Sequence, residues 1–196
     1  MAKLYWRYGT MDSAKTLNLL AVAHNYRKQG KRVALAKPRL DDRFGAEKIA
    51  SRSGLESRAD HLLDPKSRLN FEDFAGLDCL LVDEAQFLSA SVIDQFRELT
   101  RRHDLPVICY GLRTDFRTQL FEGSKRLFEV ADRIEEVKVT CQYCNRKAIF
   151  NMRLLGGEPA YEGAQVHLGG DESYVPVCYA CYADRLPFAE LSAADV

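Results

Sequence analysis

The chain has 196 residues, of which 46% are hydrophobic and 29% are charged. These values fit one globular domain with room for a small appendage, and they exclude a disordered chain, a collagen-like repeat and a miniprotein held by disulfides. The 28 basic and 28 acidic side chains cancel, so a general nucleic-acid-binding protein is not expected. Residues 1–53 nevertheless contain twelve basic and only four acidic side chains, which places any phosphate chemistry near the N-terminus.

The sequence lacks the features of a membrane or secreted protein. No apolar run approaches the roughly 20 residues that span a bilayer, and residues 1–8 lack the apolar core of a signal peptide. We therefore predict a cytoplasmic protein. Because the cytoplasm is reducing, the six cysteines are expected to bind metal or to remain thiols rather than to form disulfides.

The N-terminal part of the chain predicts a strand, a glycine turn, a helix and a second strand. The β-prone run 4–8 stops at Gly9, apolar residues recur at helical spacing over 15–29, and a second apolar run covers 33–36. A strand–helix–strand unit of this kind implies a parallel sheet. Residues 41–67 are polar and basic with little periodicity, so we expect a long surface segment, partly mobile without ligand, of the kind that closes over a site.

The alternation of strands and helices continues to residue 140. An apolar strand over 79–82 is followed by a helix from an N-cap at Ser89 to about Arg102 and by a strand over 106–110. A helix near 118–129 and a strand over 133–140 complete the pattern. We therefore predict an α/β fold in which helices flank a parallel sheet. Beyond residue 140 the sequence changes to short strands and paired glycines, so the predicted domains are 1–140, which binds nucleotide, and a small domain over 141–196.

The segment after the first strand has the pattern of a phosphate-binding loop. Backbone N–H groups of such a loop hold phosphate oxygens, its lysine adds a charge at the β- and γ-phosphates, and the hydroxyl that follows can bind magnesium. Ala14 stands where the pattern usually has a second glycine. Its methyl group would crowd a phosphate unless the residue has helical dihedral angles, so we expect ATP binding to be retained, with a lower affinity where the methyl group does crowd. The matching residues are Gly9, Thr10, Met11, Asp12, Ser13, Ala14, Lys15 and Thr16.

Two carboxylates follow the strand over 79–82, at the end of the strand where ligands bind in α/β folds. In a phosphate-loop protein an aspartate in this place holds magnesium, so Thr16 and Asp83 are the predicted magnesium ligands. Glu84 lies one residue further, and two roles are open to it: it activates water in an ATPase, or it accepts a proton from a substrate hydroxyl in a kinase. The simplest alternative is a solvated or salt-bridged acidic pair at a strand end.

Four of the six cysteines form two C-x2-C pairs separated by 33 residues. Each pair presents two thiolates, and together they would surround a tetrahedral zinc ion with no open ligand position, which is typical of structural zinc. Cys79 and Cys109 lie inside apolar strands and are predicted to be ordinary core thiols. The predicted zinc ligands are Cys141, Cys144, Cys178 and Cys181.

The motifs, in their order along the chain, resemble the cytosolic type II thymidine kinases. Besides the phosphate loop at 9–16, the resemblance rests on Asp-Asp-Arg-Phe-Gly at 41–45, Val-Asp-Glu-Ala-Gln-Phe at 82–87, Gly-Leu-Arg-Thr-Asp-Phe at 111–116 and the two cysteine pairs. It covers essentially the whole chain, and the second and third of these motifs are far more specific than the loop. The resemblance implies a P-loop kinase domain followed by a small zinc-binding domain that carries a lasso loop.

This resemblance also implies an activity and its partners. The reaction is transfer of the γ-phosphate of ATP, bound with magnesium, to the 5′-hydroxyl of thymidine in pyrimidine salvage for DNA synthesis. Glu84 then matches the family's catalytic base, Lys15 contacts the phosphates, and Asp41 and Arg43 lie near the active site. The family further implies feedback inhibition by dTTP and a homotetramer. The ATP site includes, besides the loop, Asp83, Glu84, Ala85 and Gln86.

A thymine pocket is the last feature that the resemblance implies. Its base contacts come largely from the backbone of the lasso loop, which matches residues 165–174, where paired glycines allow close approach. The implied substrate-binding residues are Met11, Phe87, Leu112, Phe116, Phe121, Val166, Gly169, Gly170 and Tyr174. Two alternatives stay open: a zinc-ribbon ATPase that acts on nucleic acid, and a nucleotide-binding protein whose turnover is weakened by Ala14.

Overall fold

The chain forms an α/β unit followed by a smaller, β-rich part. The computed structural model describes residues 1–163 and 174–185. Short 3-10 helices cover Phe71–Phe74 and Ala85–Phe87. Within the described ranges, no helix has both the length and the apolarity needed to cross a bilayer. The other elements, in chain order, are β1 (Leu4–Tyr8), α1 (Lys15–Lys28), β2 (Val33–Pro38), β3 (Lys48–Ala50), β4 (Glu56–Arg58), β5 (His61–Leu63), β6 (Cys79–Val82), α2 (Ala90–Arg102), β7 (Val107–Gly111), α3 (Glu122–Val130), β8 (Arg133–Glu136), β9 (Phe150–Leu155), β10 (Glu158–Pro159), β11 (Tyr174–Val177) and α4 (Tyr179–Ala183).

Six strands form one sheet in the order β5-β2-β6-β7-β1-β8. All five strand pairs in this sheet are parallel, which confirms the predicted fold class. β7 lies between β1 and β6. The phosphate loop after β1 and the two carboxylates after β6 therefore leave the same edge of the sheet, on either side of β7.

The sheet buries apolar side chains on both of its faces. Leu4 and Trp6 of β1 belong to the cluster that includes side chains of α2 and α3, whereas Leu35 of β2 packs in the opposite cluster with Leu19 of α1. Burial on both faces explains why the strands are almost continuously apolar. Both strand cysteines are fully buried, which confirms that they are core thiols.

The segment 41–67 contains more regular structure than its sequence indicates. β3 and β4 pair as an antiparallel hairpin, and β5 pairs with β2 at the edge of the main sheet. The hairpin is short and polar, and its one buried side chain is Ile49, which packs against the α1 side of the sheet. Hydrophobic periodicity could not reveal strands of three residues that bury at most one side chain each.

Helix α3 begins at Glu122, later than the predicted start near residue 118. Asp115 Oδ1 accepts hydrogen bonds from the backbone N–H groups of Arg117 and Gln119, both at 2.9 Å. Thr118, between them, has a φ of 65°, in the left-handed region. The Asp115 side chain thus closes a turn with backbone donors that a helix would otherwise use. β8 also ends earlier than predicted, at Glu136.

The C-terminal part contains a three-stranded antiparallel sheet in the order β10-β9-β11. Its buried side chains, which include Met152, Val177 and Tyr182, form a cluster of their own with Cys141 and Cys178. The Tyr182 hydroxyl donates a hydrogen bond of 2.6 Å to the carbonyl of Phe116, so this cluster also contacts a loop at the edge of the main sheet. The domain boundary at residue 140 stays a prediction.

Candidate functional site

The phosphate loop wraps around the side chain of Lys15. Lys15 Nζ donates hydrogen bonds to the Thr10 carbonyl at 2.6 Å and to Ser13 Oγ at 3.2 Å. Gly9 has no room for a side chain, since an added Cβ would lie 2.4 Å from Ser13 Oγ and 2.5 Å from the Val137 carbonyl oxygen. Burial lowers the pKa of Lys15 to about 8, although the charges of Glu84 and Asp83 oppose this shift. The loop therefore presents a weakly solvated cation to its surroundings.

Ala14 does not have the helical dihedral angles under which its methyl group was expected to be harmless. Its φ of 59° and ψ of 29° lie in the left-handed region, where an L-residue is strained by contact between its Cβ and the backbone. Asp12 is also left-handed, with φ of 62°, and its carboxylate pairs with Arg52 of the β3–β4 turn. Ala14 thus adopts, with local strain, a backbone conformation that glycine takes freely.

Thr16 and Asp83 meet beside the loop. Thr16 Oγ1 donates a hydrogen bond of 2.9 Å to Asp83 Oδ2, and Asp83 is 5% exposed. Burial, reinforced by the neighbouring Glu84 charge, raises the pKa of Asp83 to about 7. A hydroxyl and a carboxylate oxygen side by side are donors that suit Mg²⁺, and the cation would relieve the cost of ionising this buried carboxyl. The residues therefore fit the predicted magnesium site.

Glu84 is held by partners on both of its carboxylate oxygens. Oε1 accepts a hydrogen bond of 2.6 Å from Arg43 Nη2, and Oε2 accepts one from Gln86 Nε2. Burial opposes ionisation, but the charges of Arg43 and Lys15 outweigh it and hold the pKa of Glu84 below its ordinary value. The residue has a left-handed φ of 49°, so its position is imposed by the surrounding structure. Glu84 is therefore an oriented, ionised carboxylate. It is not solvated, but its ion pair with Arg43 matches the salt-bridged form of the simplest alternative.

Gln86 connects Glu84 to the neighbouring strand. Its Oε1 accepts a hydrogen bond of 3.1 Å from the Leu112 N–H, just after β7. An added Cβ on Gly111 would lie 2.2 Å from the same Oε1, so this approach requires glycine at that position. The Val-Asp-Glu-Ala-Gln-Phe and Gly-Leu-Arg-Thr-Asp-Phe motifs, which are distant in sequence, thus interlock at one edge of the sheet.

A cavity of about 310 Å³ opens between these groups. Its wall includes Lys15, Thr16, Asp83 and Glu84 at one end. Gly9, Thr10, Ala85 and Gln86 are not part of the wall. Thr10 and Gln86 lie behind it and form hydrogen bonds with Lys15 and Glu84, respectively. All six described residues of the implied thymine pocket also line the cavity, namely Met11, Phe87, Leu112, Phe116, Phe121 and Tyr174.

The apolar part of the wall is built from rings in edge-to-face or tilted contact. Phe87 and Phe121 have centroids 5.6 Å apart with planes at 79°, and Phe116 lies 6.4 Å from Tyr174. Such rings provide flat apolar surfaces on which a planar base can stack. The predicted residues Val166, Gly169 and Gly170 lie outside the described part of the chain.

Sequence reasoning missed several polar residues of the cavity wall, among them Asn151 and Arg52. Asn151 of β9 lines the cavity, and its Oδ1 accepts a hydrogen bond of 2.7 Å from the Met11 N–H in the phosphate loop. No motif marks Asn151, because the contact joins residues 140 positions apart. Arg52 also lines the cavity. Its positive charge within the segment expected to close over a site is a signal that could have identified it.

The four predicted zinc ligands converge. Their sulfur atoms all lie within 4.8 Å of one another, and the Cys144 and Cys178 sulfurs are 3.6 Å apart. Zn–S bonds of about 2.3 Å in a tetrahedron place sulfurs about 3.8 Å apart, so the cluster fits zinc. Backbone N–H groups of Tyr143 and Cys181 point to the sulfurs of Cys141 and Cys178, which favours thiolates. Among the described residues, no other cluster of three or more histidine, cysteine or acidic side chains is arranged to hold a metal ion.

Comparison with known proteins decides the family. The family model described as thymidine kinase matches residues 2–182. The chain belongs to the thymidine kinase family. It is 44% identical to the thymidine kinase of Lactococcus lactis over 184 residues, which are 93% of this chain and 97% of that protein. It is also 45% identical to the thymidine kinase of Streptococcus thermophilus over 180 residues, 91% of this chain and 92% of that protein.

Membership of the thymidine kinase family confirms the resemblance seen in the sequence and identifies the chain as a kinase. It also counts against the alternative of a zinc-ribbon ATPase that acts on nucleic acid.

Proposed function

We propose that this member of the thymidine kinase family transfers the γ-phosphoryl group of ATP to the 5′-hydroxyl of thymidine, giving dTMP and ADP. The observation that carries the proposal is the shared cavity. Phosphate-loop residues, two strand-end carboxylates and a set of aromatic rings line the same space. A nucleoside stacked on the rings would therefore extend its sugar toward the phosphates, as in-line phosphoryl transfer requires.

ATP is proposed to bind through the loop from Gly9 to Thr16, with its phosphates at the N-terminus of α1. Backbone N–H groups and Lys15 would disperse the negative charge that spreads over the transferring group. Thr16 and Asp83 would hold the magnesium ion, which supplies charge neutralisation at the β- and γ-phosphates. The segment Asp83–Gln86 completes the nucleotide site by placing these groups at the end of β6.

Glu84 is the proposed catalytic base. Its carboxylate is ionised below neutral pH because Arg43 and Lys15 stabilise its charge, and each oxygen keeps a lone pair beyond its present hydrogen bond. It would orient the 5′-hydroxyl and accept its proton as the phosphoryl group is transferred. Asp41 and Arg43 would hold this carboxylate in place.

The aromatic end of the cavity is proposed to bind thymine. Phe116 and Tyr174 would stack on or border the base, and Met11, Phe87, Leu112 and Phe121 would complete the apolar wall. The roles proposed for Val166, Gly169 and Gly170 are backbone contacts to the base edge. Such contacts would select thymine, since a base with a different donor and acceptor pattern leaves buried groups unpaired.

The remaining parts of the proposal concern cofactors and partners. Cys141, Cys144, Cys178 and Cys181 would bind one structural Zn²⁺ per chain. By analogy with the family, we infer a cytoplasmic homotetramer that is inhibited by dTTP and does not act on nucleic acid.

A coupled assay of ADP release tests the proposed function directly. ATP and magnesium are held constant while thymidine, deoxyuridine, deoxycytidine, deoxyadenosine or single-stranded DNA is added. Release that depends on thymidine and yields dTMP supports the proposal. Release that depends on DNA would support the ATPase alternative, and ATP binding without turnover would support a protein weakened by Ala14.

A further inference from the structure

Lys37 is a buried lysine that no role described so far explains. It lies near the carboxyl end of β2, whose residues are all buried, and its side chain is 1% exposed. Val33 and Leu35 precede it at alternate positions and pack in the apolar cluster on the α1 side. The pattern of the strand would place an apolar side chain here. An ammonium group in such a place is costly unless it has charged or polar partners.

Lys37 contacts two groups that flank the loop between β2 and β3. Nζ lies 3.3 Å from Asp41 Oδ2, and it donates a hydrogen bond of 2.8 Å to the carbonyl oxygen of Lys48. Asp41 stands just after β2, and Lys48 is the first residue of β3. One buried cation therefore holds both ends of the loop that carries Arg43.

The contacts continue from Lys37 to the proposed base. Asp41 Oδ1, the second oxygen of the carboxylate, accepts a hydrogen bond of 2.7 Å from Arg43 Nε. Arg43 Nη2 in turn donates one of 2.6 Å to Glu84 Oε1. The four side chains form a chain of alternating charge whose members are 1%, 8%, 22% and 12% exposed from Lys37 to Glu84. Such weakly solvated charges interact strongly and hold one another in a single arrangement.

We propose that Lys37 is a positioning residue for phosphoryl transfer, acting on Glu84 through Asp41 and Arg43. The inference rests on the proposed function of Glu84 and extends it to a residue outside the cavity. Lys37 orients the Asp41 carboxylate from one oxygen, so that the other oxygen aims the Arg43 guanidinium at Glu84. Small displacements of a reacting group of this kind lower turnover strongly, whereas substrate binding depends on other residues.

Replacing Lys37 by methionine tests the proposal. In Lys37→Met, kcat for thymidine should fall by about 10- to 100-fold, while the KM values for ATP and thymidine change by less than about threefold. Lys48→Met is the matched control, because its side chain is exposed and its backbone carbonyl remains. This control should keep wild-type kcat. A wild-type kcat in Lys37→Met would overturn the proposal.

A double variant separates positioning from a contribution to stability. Lys37→Met removes one of the two cations that neutralise the buried Asp41 carboxylate and leaves Arg43 as the other, so the variant should melt at a lower temperature. Adding Asp41→Asn removes that charge and should restore the melting temperature, whereas kcat should stay low because no carboxylate aims Arg43. Recovery of both properties together would show that Lys37 only stabilises the fold. If Lys37→Met does not fold, the double variant is compared with Asp41→Asn alone: equally low kcat values support action through Asp41, and a wild-type kcat in either variant overturns the proposal.

Two further measurements complete the test. In a Glu84→Gln background, Lys37→Met should lower kcat by less than about twofold, since residues that act as a unit are not additive; the full loss in that background would contradict action through Glu84. The NMR signal of Arg43 Nε–H, assigned with Arg43→Lys, should shift in Lys37→Met whatever reaction the protein catalyses. An unchanged signal would overturn the proposal, whereas a wild-type protein that releases no ADP with thymidine would overturn the proposed function instead.

Discussion

The edge of the main sheet that carries the phosphate loop and the four-cysteine cluster are held together by different interactions. At the sheet edge, Lys15 begins α1 and Glu84 follows β6. The sheet beside them packs against a large apolar cluster on each of its two faces. The cysteine cluster has a small core of five buried residues and four thiols within 4.8 Å of one another. The first region is preorganised by hydrophobic burial, whereas we expect the second to depend on a bound metal for its stability. Substitutions in the two regions should therefore have different consequences.

The largest effect on activity is expected from Glu84→Gln. The amide cannot accept the hydroxyl proton, so kcat should fall by about 10²- to 10⁴-fold while ATP and thymidine still bind. Steady-state kinetics and calorimetric binding measure the two quantities separately. Glu98→Gln, on the partly exposed side of α2 and outside the cavity wall, is the control and should retain full turnover. A Glu84→Gln protein with turnover near that of wild type would remove Glu84 from the mechanism.

Loss of zinc should affect the C-terminal part before the main sheet. Metal analysis should find about one zinc per chain, and Cys178→Ser should abolish it, because a structural site needs all four ligands. Hydrogen exchange should then increase first in β9 and β11, with β1, β6 and β7 still protected. Cys79→Ala, which removes a core thiol, should lower stability but keep the zinc. A protein that lacks metal and melts normally contradicts the assignment.

Tyr174→Ala should weaken thymidine binding more than ATP binding. Loss of one ring from a base-stacking surface costs about 1–3 kcal/mol, which corresponds to a rise of roughly 5- to 150-fold in the KM for thymidine. Tyr179→Ala is the matched control, since Tyr179 is half-exposed and is not part of the cavity wall. Equal weakening of both substrates in Tyr174→Ala would place Tyr174 outside the thymine pocket.

The buried Lys15 should make ATP binding depend on pH. Its pKa of about 8 in the free protein means that the ammonium loses its proton as the pH rises through that value. ATP phosphates favour the charged form, so binding above pH 8 must take up a proton, and affinity should fall by up to about tenfold per pH unit. Calorimetry in buffers of different ionisation enthalpy detects that proton. The Lys15→Arg variant should bind ATP without such uptake, whereas identical profiles for both proteins would contradict the prediction.

The smallest effect is expected from Ala14→Gly. Glycine adopts the left-handed conformation without steric cost, so the free energy of unfolding should rise by about 1 kcal/mol, with ATP affinity equal or higher. Ala23→Gly, in the interior of α1, should instead lower it by about 1 kcal/mol. Chemical denaturation measures both values. Clearly weaker ATP binding in Ala14→Gly would show that the methyl group does not crowd the phosphates.

Local patterns in the sequence determined the fold class and much of the candidate site. Alternating strand and helix signals predicted the parallel sheet, because apolar periodicity depends on neighbouring residues. The phosphate loop, the Asp83–Glu84 pair and the two cysteine pairs could likewise be identified from short motifs. Each of these motifs combines its essential residue types within a few positions of the chain.

Only the tertiary structure decided how these parts meet. The position of β7 between β1 and β6, the pairing of β5 with β2, the hydrogen bond from Met11 to Asn151 and the contacts of Lys37 join segments whose local sequences do not indicate one another. The left-handed conformation of Ala14 is a further example, since propensity alone argues against it. Such features depend on packing energy summed over distant residues, which outweighs local preference once the core has formed.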